Sequence, residues 1–412
     1  MDNLTHSLVG AALAELTLPA DAPRTTRRIF FITGVLAANL PDADLVYTRI
    51  TAPPIGYLLH HRGHTHTLGG IVVLGLATAA VCALPKIRES VGAARNRLWL
   101  LIALALTSHL LLDWWNSYGV HPFWPVSSRW FYGDAVYILE PWLWMLLGLA
   151  ATLNTQNRVG RALLGGFIVV LLGLGTWMHV IPRPALALLL VVAAALAALA
   201  RSWTPPRRST VALGVGALYV CLVFAMREVA RAEVADAPAE MVRRHRQIGD
   251  VAIDRVTFPA RRPVDLVLSS QAANPFCWNA VSITRDEKVY AMTRGTVAVI
   301  LRNACGAPRE QRVQWEATQL QSLARLRARY DNDCWVRAWL QFGRAPEIAG
   351  NVISDLRYSD PGRPNFTTMP LRDWPTGACP RHLTAWRPPR TDLLQRLRPV
   401  ERSSGFKGGQ IP

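Results

Sequence analysis

The chain has 412 residues, 51% of them hydrophobic, and a formal charge of +17. That length fits two or three domains. The positive charge comes with no nucleic-acid-binding motif, and much of the Arg borders hydrophobic runs. No nucleic-acid partner is therefore expected; membrane topology and attraction to anionic lipid account for the excess.

Residues 1–227 form a series of apolar runs, and residues 228–412 read as a water-soluble, Arg-rich segment. The expected fold is a polytopic α-helical membrane domain (1–227) of seven to eight hydrophobic helices, at about 20 apolar residues per crossing. A C-terminal soluble α+β domain (228–412) follows. The spans fall at about 4–18, 29–45, 67–84, 98–115, 137–153, 162–181, 184–200 and 210–226. The first is short and carries Glu15, so it reads as a span or as a partly inserted, packed helix. Asp2 and His6 stand where a cleavable signal peptide would carry positive charge.

The connecting segments alternate in charge. One set holds Arg24, Arg27 and Arg28, then Lys86, Arg88, Arg95 and Arg97, then Arg158 and Arg161, then Arg201, Arg207 and Arg208. The other set holds Arg49 and Arg62, then Arg129, then Arg183. The positive-inside rule assigns the rich set to the cytoplasm. The poor set and the C-terminal domain then face outward.

Seven of the ten histidines lie before residue 140, within polar clusters between the apolar runs. Thr5-His6 comes first. Asp42 and Asp44 follow Pro41 at a helix end, where residues two apart can point the same way. The run His60-His61-Arg62-Gly63-His64-Thr65-His66 is the sharpest local feature. In it Gly63 allows an unusual turn, Arg62 is suited to grip an anion bidentately, and Thr65 is suited to cap a helix starting near residue 67. His109 and Asp113 are four apart on a helix and share one face. That spacing permits two ligands to one metal, or an Asp113 that orients His109. Under the outward topology all these donors fall on one face of the membrane. Ionisable groups at membrane depth are costly and mark sites, and imidazole with carboxylate suits zinc or a similar divalent ion. His121 stays open between ligand, substrate contact and surface residue. Glu140 stays open between ligand, general base and interfacial charge. His60 and His64 receive no firm role.

Trp114, Trp115, Phe123, Trp124, Trp130, Phe131, Trp142 and Trp144 read as an interfacial belt. In the soluble half, 251–258, 264–270, 276–284 and 288–301 read as strands, and 311–330 as a helix. The end, 356–412, reads as irregular. Cys82 and Cys221 lie within apolar runs. Cys277, Cys305, Cys334 and Cys379 suit two disulfides in an oxidising compartment, with the pairing open.

The ordered set resembles the YdjM-type (LexA-regulated) family of membrane-bound metal-dependent hydrolases. The matching pieces are Thr5-His6, Leu-Pro-Asp-x-Asp at 40–44, His-Arg-Gly-x-Thr-His at 61–66, His109-x-x-x-Asp113 and the stretch Gly119 to Pro125, over roughly residues 1–150. The resemblance implies a distant relation to zinc-dependent phospholipase C and S1-type nucleases, with one or more Zn2+ ions and phosphoester hydrolysis. By motif it implies His6, Asp42, Asp44, His61, His66, His109 and Asp113 as metal ligands. Leu45 stands where some relatives have His, which bears on the number of metals. His64 stands where relatives often have an aromatic.

The leading expectation is a multi-pass inner-membrane metal-dependent hydrolase with its site at the outer (periplasmic) face. Its substrate would be a phospholipid or lipid-linked phosphoester met in the plane of the bilayer. Asp42 or Asp113 would take a proton from water, and Arg62 would stabilise the anion. A metal-ion or proton-coupled transporter is the alternative from another class. Ligands gathered at one face and the lack of an inverted repeat weigh against it. A membrane-anchored interaction protein is the third reading, and an intramembrane protease is disfavoured because HExxH is absent.

Overall fold

The computed structural model describes residues 1–48, 50, 55–127, 129–237, 263–306, 310–371 and 393–394. The N-terminal part is helical: α1 (Asn3–Thr17), α2 (Arg24–Asn39), α3 (Leu45–Thr48), α4 (Gly56–His60), α5 (Leu68–Cys82), α6 (Pro85–Val91), α7 (Arg95–Trp114), α8 (Pro141–Asn154), α9 (Arg158–Trp177), α10 (Arg183–Leu199) and α11 (Pro205–Asp236).

Among the described residues, five helices are long and apolar enough to cross a bilayer, rather than seven to eight. They are Arg24–Thr48, Pro85–Trp114, Arg158–Trp177, Arg183–Ser202 and Pro205–Asp236. The runs expected at 4–18, 67–84 and 137–153 do form helices, but these have only 15, 15 and 14 residues. At 1.5 Å per residue each reaches about 22 Å, short of the roughly 30 Å hydrocarbon layer.

Helix α1 lies at the centre of the bundle and touches α2, α7, α8 and α11. Its small residues explain the placement. A Cβ on Gly10 would stand 2.3 Å from the carbonyl oxygen of Gly34 in α2, and one on Gly34 would stand 2.5 Å from that of Gly10. The two backbones therefore touch where they cross. Gly10→Val should lower stability by roughly 1–3 kcal/mol through overpacking, read as a lower melting temperature in detergent; an unchanged melt would count against the crossing.

Helices α9 and α10 form the periphery, with most of their apolar side chains exposed. Helix α11 crosses residue 227 unbroken and carries the chain into the C-terminal part. There β1 (Asp265–Gln271), β2 (Asn274–Arg285), β3 (Val289–Ala298) and β4 (Val313–Ser322) form an antiparallel meander in sequence order. Helices α12 (Leu323–Asn332) and α13 (Cys334–Trp339) follow. A second antiparallel sheet holds β5 (Pro346–Ala349), β6 (Val352–Asp355) and β7 (Met369–Pro370).

The strands expected near 264–270, 276–284 and 288–301 are present, while 251–258 lies outside the described residues. The helix expected over 311–330 is corrected: its first half is β4, because a full ladder with β3 outweighs the weak helical periodicity. Most of the tail from 356 onward is undescribed, but it contributes β7. Cys277 is bonded to Cys305, and Cys334 is also disulfide-bonded; Cys379 lies outside the described residues.

The C-terminal part docks on the helices with a shared core. Leu143, Leu147 and Val223 of α8 and α11 join Leu268, Trp278 and Val297 of the meander in one apolar cluster. Ser270 N donates to the Ala135 carbonyl at 3.1 Å, extending the contact to the loop before α8.

Candidate metal centre

Antiparallel helices bring the donor segments to one end of the bundle. His6 is in the first turn of α1, and Asp42 and Asp44 follow α2. His66 precedes α5, and His109 and Asp113 are in the last turns of α7. Arg24, at the start of α2, and Arg95, at the start of α7, mark the opposite end.

Leu40–Asp44 is a 3-10 turn with Pro41 in its first positions. Proline has no N–H to continue the α ladder, and three residues per turn sends side chains two apart about 120° from each other. Asp42 and Asp44 nevertheless stand close enough to share a group with His61, and both reach His66, Asp44 Oδ2 lying 3.3 Å from its Nδ1. Asp42 Oδ1 lies 3.3 Å from His66 Nε2 and 3.5 Å from His109 Nε2. Asp44 Oδ1 lies 2.9 Å from His61 Nδ1.

Donors from two groups lie within 4.8 Å of one another: Asp42, His66, His109 and Asp113 in the first, and Asp42, Asp44 and His61 in the second. Asp42 belongs to both. In the first group Asp113 Oδ2 is 3.1 Å from His66 Nε2 and 3.5 Å from His109 Nε2.

The hydrogen bonds fix the tautomers of the two imidazoles. His109 Nδ1 lies 2.6 Å from the Ala38 carbonyl, which can only accept, so Nδ1 carries the proton. Thr65 Oγ1 donates its one proton to Asp44 Oδ2 at 2.9 Å, so at 3.0 Å it accepts from His66 Nδ1. Each ring therefore turns an Nε2 lone pair inward, and the two nitrogens are 3.0 Å apart. Two such nitrogens and two carboxylates around one point could hold a cation in place of a proton, and this donor set suits a divalent ion of the zinc type. Burial by itself would push the His66 imidazole down. The carboxylates of Asp113, Asp42 and Asp44 overcome it and raise this group to about 10. Burial lowers His61, against the opposing pull of Asp44.

His6 stacks on His109 with ring centroids 3.8 Å apart, and its Nε2 is 3.4 Å from Asp113 Oδ1. It borders the first group from the side of α1, outside both groups. The Met1 amine also contacts Asp113 Oδ1.

Arg62 takes a different part from the expected anion grip. Its backbone is left-handed, with φ 60°. Its Nη2 donates to Asp113 Oδ1 at 2.9 Å, and its Nη1 to the carbonyls of Asp113 and Gly119 and to Asn116 Oδ1 at 3.1–3.3 Å. The guanidinium is buried and orients a ligand. Its backbone N–H also bonds Asp44 Oδ2 at 3.0 Å. Thr67, rather than Thr65, caps α5.

The structure leaves four other polar residues outside the two groups. His60 and His64 stack on each other, and His64 meets Trp124 edge to face. His121 is buried against Trp130. Glu140 caps α8, and burial pushes its carboxyl up to about 8. Sequence reasoning missed Asn3, whose Nδ2 donates to Asp42 Oδ2 at 3.1 Å, and Asn116. A single amide gives no local signal that would have found either one.

These features define a class: a helical membrane protein with a largely buried His/Asp cluster whose donors could hold a metal ion. The family described as YdjM inner membrane protein matches residues 1–182. The chain is similar to the inner membrane protein YbcI of Escherichia coli (strain K12), with 30% identity over 135 residues. That stretch covers 70% of YbcI and 31% of this chain. It is also similar to the uncharacterized protein YfhP of Bacillus subtilis (strain 168), with 25% identity over 150 residues. There the match spans 43% of YfhP and 35% of this chain. No solved structure matches the chain. The chain belongs to the YdjM inner membrane protein family.

Proposed function

We propose that this membrane protein is a metal-dependent hydrolase whose centre faces the periplasm and whose substrate is a phosphoester of a lipid or lipid-linked compound. The observation that carries the metal is the pair of inward Nε2 lone pairs of His66 and His109, 3.0 Å apart between Asp42 and Asp113. The Arg-rich opposite end of the helices supports the orientation through the positive-inside rule. The Cys277–Cys305 disulfide, in the domain docked at the ligand end, supports it as well. Support for a lipid substrate comes from the residues just after the ligands. Val46 is 73% exposed and Ile50 is 78% exposed, so apolar surface borders the centre.

A bound divalent cation supplies Lewis acidity and a water of lowered pKa. His66, His109, Asp42 and Asp113 would hold it, and Asp44 and His61 would complete a second position with Asp42. Arg62 keeps Asp113 in place. Of the two carboxylates expected to accept a proton, Asp113 is 1% exposed and surrounded by Arg62 and imidazoles, whereas Asp42 is 10% exposed. Asp42 is therefore the one within reach of an arriving water. His6, stacked on His109, stiffens that ring.

The test is metal analysis of the purified protein together with hydrolysis of water-soluble and micellar phosphoesters by wild type, Asp42→Ala and His109→Ala. Wild type should carry metal and prefer the micellar substrates. Each variant should lose at least about a hundredfold in activity, since even the partners that orient ligands are worth 10–100-fold. Metal-free, inactive wild type would end the proposal.

A further inference from the structure

The family match ends at residue 182, yet the C-terminal domain packs against the segments that carry the ligands. We propose that this domain is a built part of the metal centre, with Arg357 as its positioning residue; this rests on the metal reading above. The link is the turn from Asn116 to Gly119, between the two. On one side it supplies Arg62 with two acceptors, Asn116 Oδ1 and the Gly119 carbonyl, both at 3.3 Å. The Tyr118 ring lies under the same guanidinium, 4.4 Å from its carbon. On the other side, Arg357 Nη1 donates to the Ser117 carbonyl at 2.7 Å, and the Phe342 ring meets Tyr118 at 4.7 Å.

Arg357 is itself held rigidly. Its Nε and Nη2 bond Asp355 at 2.8–3.0 Å, and both side chains are almost fully buried. A fork fixed on one carboxylate delivers its remaining nitrogen to a set place. The contact runs on to the second ligand segment. Leu58 and Leu59 of α4, just before His61, lie in the same apolar cluster as Trp339 and Phe342. A buried ion pair from Arg344 to Asp134, at 2.8 Å, pins the far end of the loop that contains the turn. The path from Arg357 through the turn to Arg62 and then Asp113 is continuous in hydrogen bonds and ring contacts. Removing Arg357 should loosen Asp113, a ligand it never touches.

The test uses the full chain in detergent and Co2+ as probe, read by its visible absorption and by titration against a competing chelator. Arg357→Ala should weaken Co2+ binding by about 10–100-fold and alter the absorption bands, while the far-ultraviolet spectrum stays that of wild type. Arg357→Lys, which keeps a donor toward Ser117, should recover part of the affinity. Arg363→Ala removes an exposed ion pair with Asp360 and should change nothing. If Arg357→Ala does not fold, Phe342→Leu decides the question, because it stays apolar, keeps most of the side-chain volume and loses the ring contact to Tyr118. Wild-type affinity and absorption in Arg357→Ala, or in Phe342→Leu where only that variant folds, would overturn the inference and leave the metal reading standing. Wild type that binds no Co2+ would overturn the metal reading and this inference with it.

Discussion

Asp42→Ala should strip metal from both ligand groups, whereas His61→Ala should strip it from one. Asp42 lies within 4.8 Å of the donors of each group, and its Oδ1 faces both His66 and His109. No other residue is common to the two. Each group has only three or four protein donors, so losing a charged one leaves too few to hold a hydrated divalent ion. His61, whose Nδ1 is 2.9 Å from Asp44 Oδ1, belongs to the Asp42–Asp44–His61 group and not to the Asp42–His66–His109–Asp113 group. Metal per chain after gel filtration should therefore fall to near zero in Asp42→Ala and by about half in His61→Ala. Misfolding can be separated from ligand loss by comparing metal-free proteins. There the far-ultraviolet spectrum and elution volume of Asp42→Ala should match those of metal-free wild type, with a lower melting temperature near neutral pH because Asp42 faces the proton held on His66. A full metal complement in Asp42→Ala would show that the carboxylate is a bystander.

Parts of this arrangement are legible in the sequence for definite reasons. His109 and Asp113 must share a face because helical spacing leaves no alternative. The one-sided gathering of His6, Asp42, His66 and His109 follows from antiparallel helices and the distribution of Arg. The sharing of His66 between Asp42 and Asp44, one at each ring nitrogen, was not legible, because it depends on how far the turn tightens after Pro41. Nor was the role of Arg62. Its left-handed backbone and buried guanidinium depend on Asn116 and Gly119, more than fifty residues away. His60 and His64 carry the same chemistry as His61 and His66, and only the turn between them decides which pair faces inward. The strand β4 was hidden for a similar reason, since its partner β3 and not its own periodicity makes it a strand. The Arg344–Asp134 pair joins residues 210 positions apart, and no local pattern foretells such a contact.

Metal removal should make stability fall with rising pH in a way that the loaded protein does not share. In the metal-free protein the inward Nε2 of His66 is the place for a proton, and the surrounding carboxylates raise this group from 6.5 to about 10 despite its burial. The folded state then holds the proton more tightly than the unfolded chain. That contribution is fully present below about pH 6.5 and is lost as pH climbs toward 10, with a limiting slope of about 1.4 kcal/mol per pH unit for one proton. A bound cation occupies the same lone pair and displaces that proton, so the loaded protein lacks this dependence. For the same reason metal affinity should increase across the window, with proton release on binding. The measurement is thermal unfolding of chelator-treated and Zn2+-loaded protein at several pH values between 6.5 and 9.5. The gap between the two melting temperatures should widen steadily as pH rises, and the widening should shrink in His66→Gln, which has no imidazole to protonate. A gap that stays constant from pH 6.5 to 9.5 would mean that proton and metal do not compete for His66, and the inward tautomer inferred from Thr65 and Asp44 would have to be abandoned.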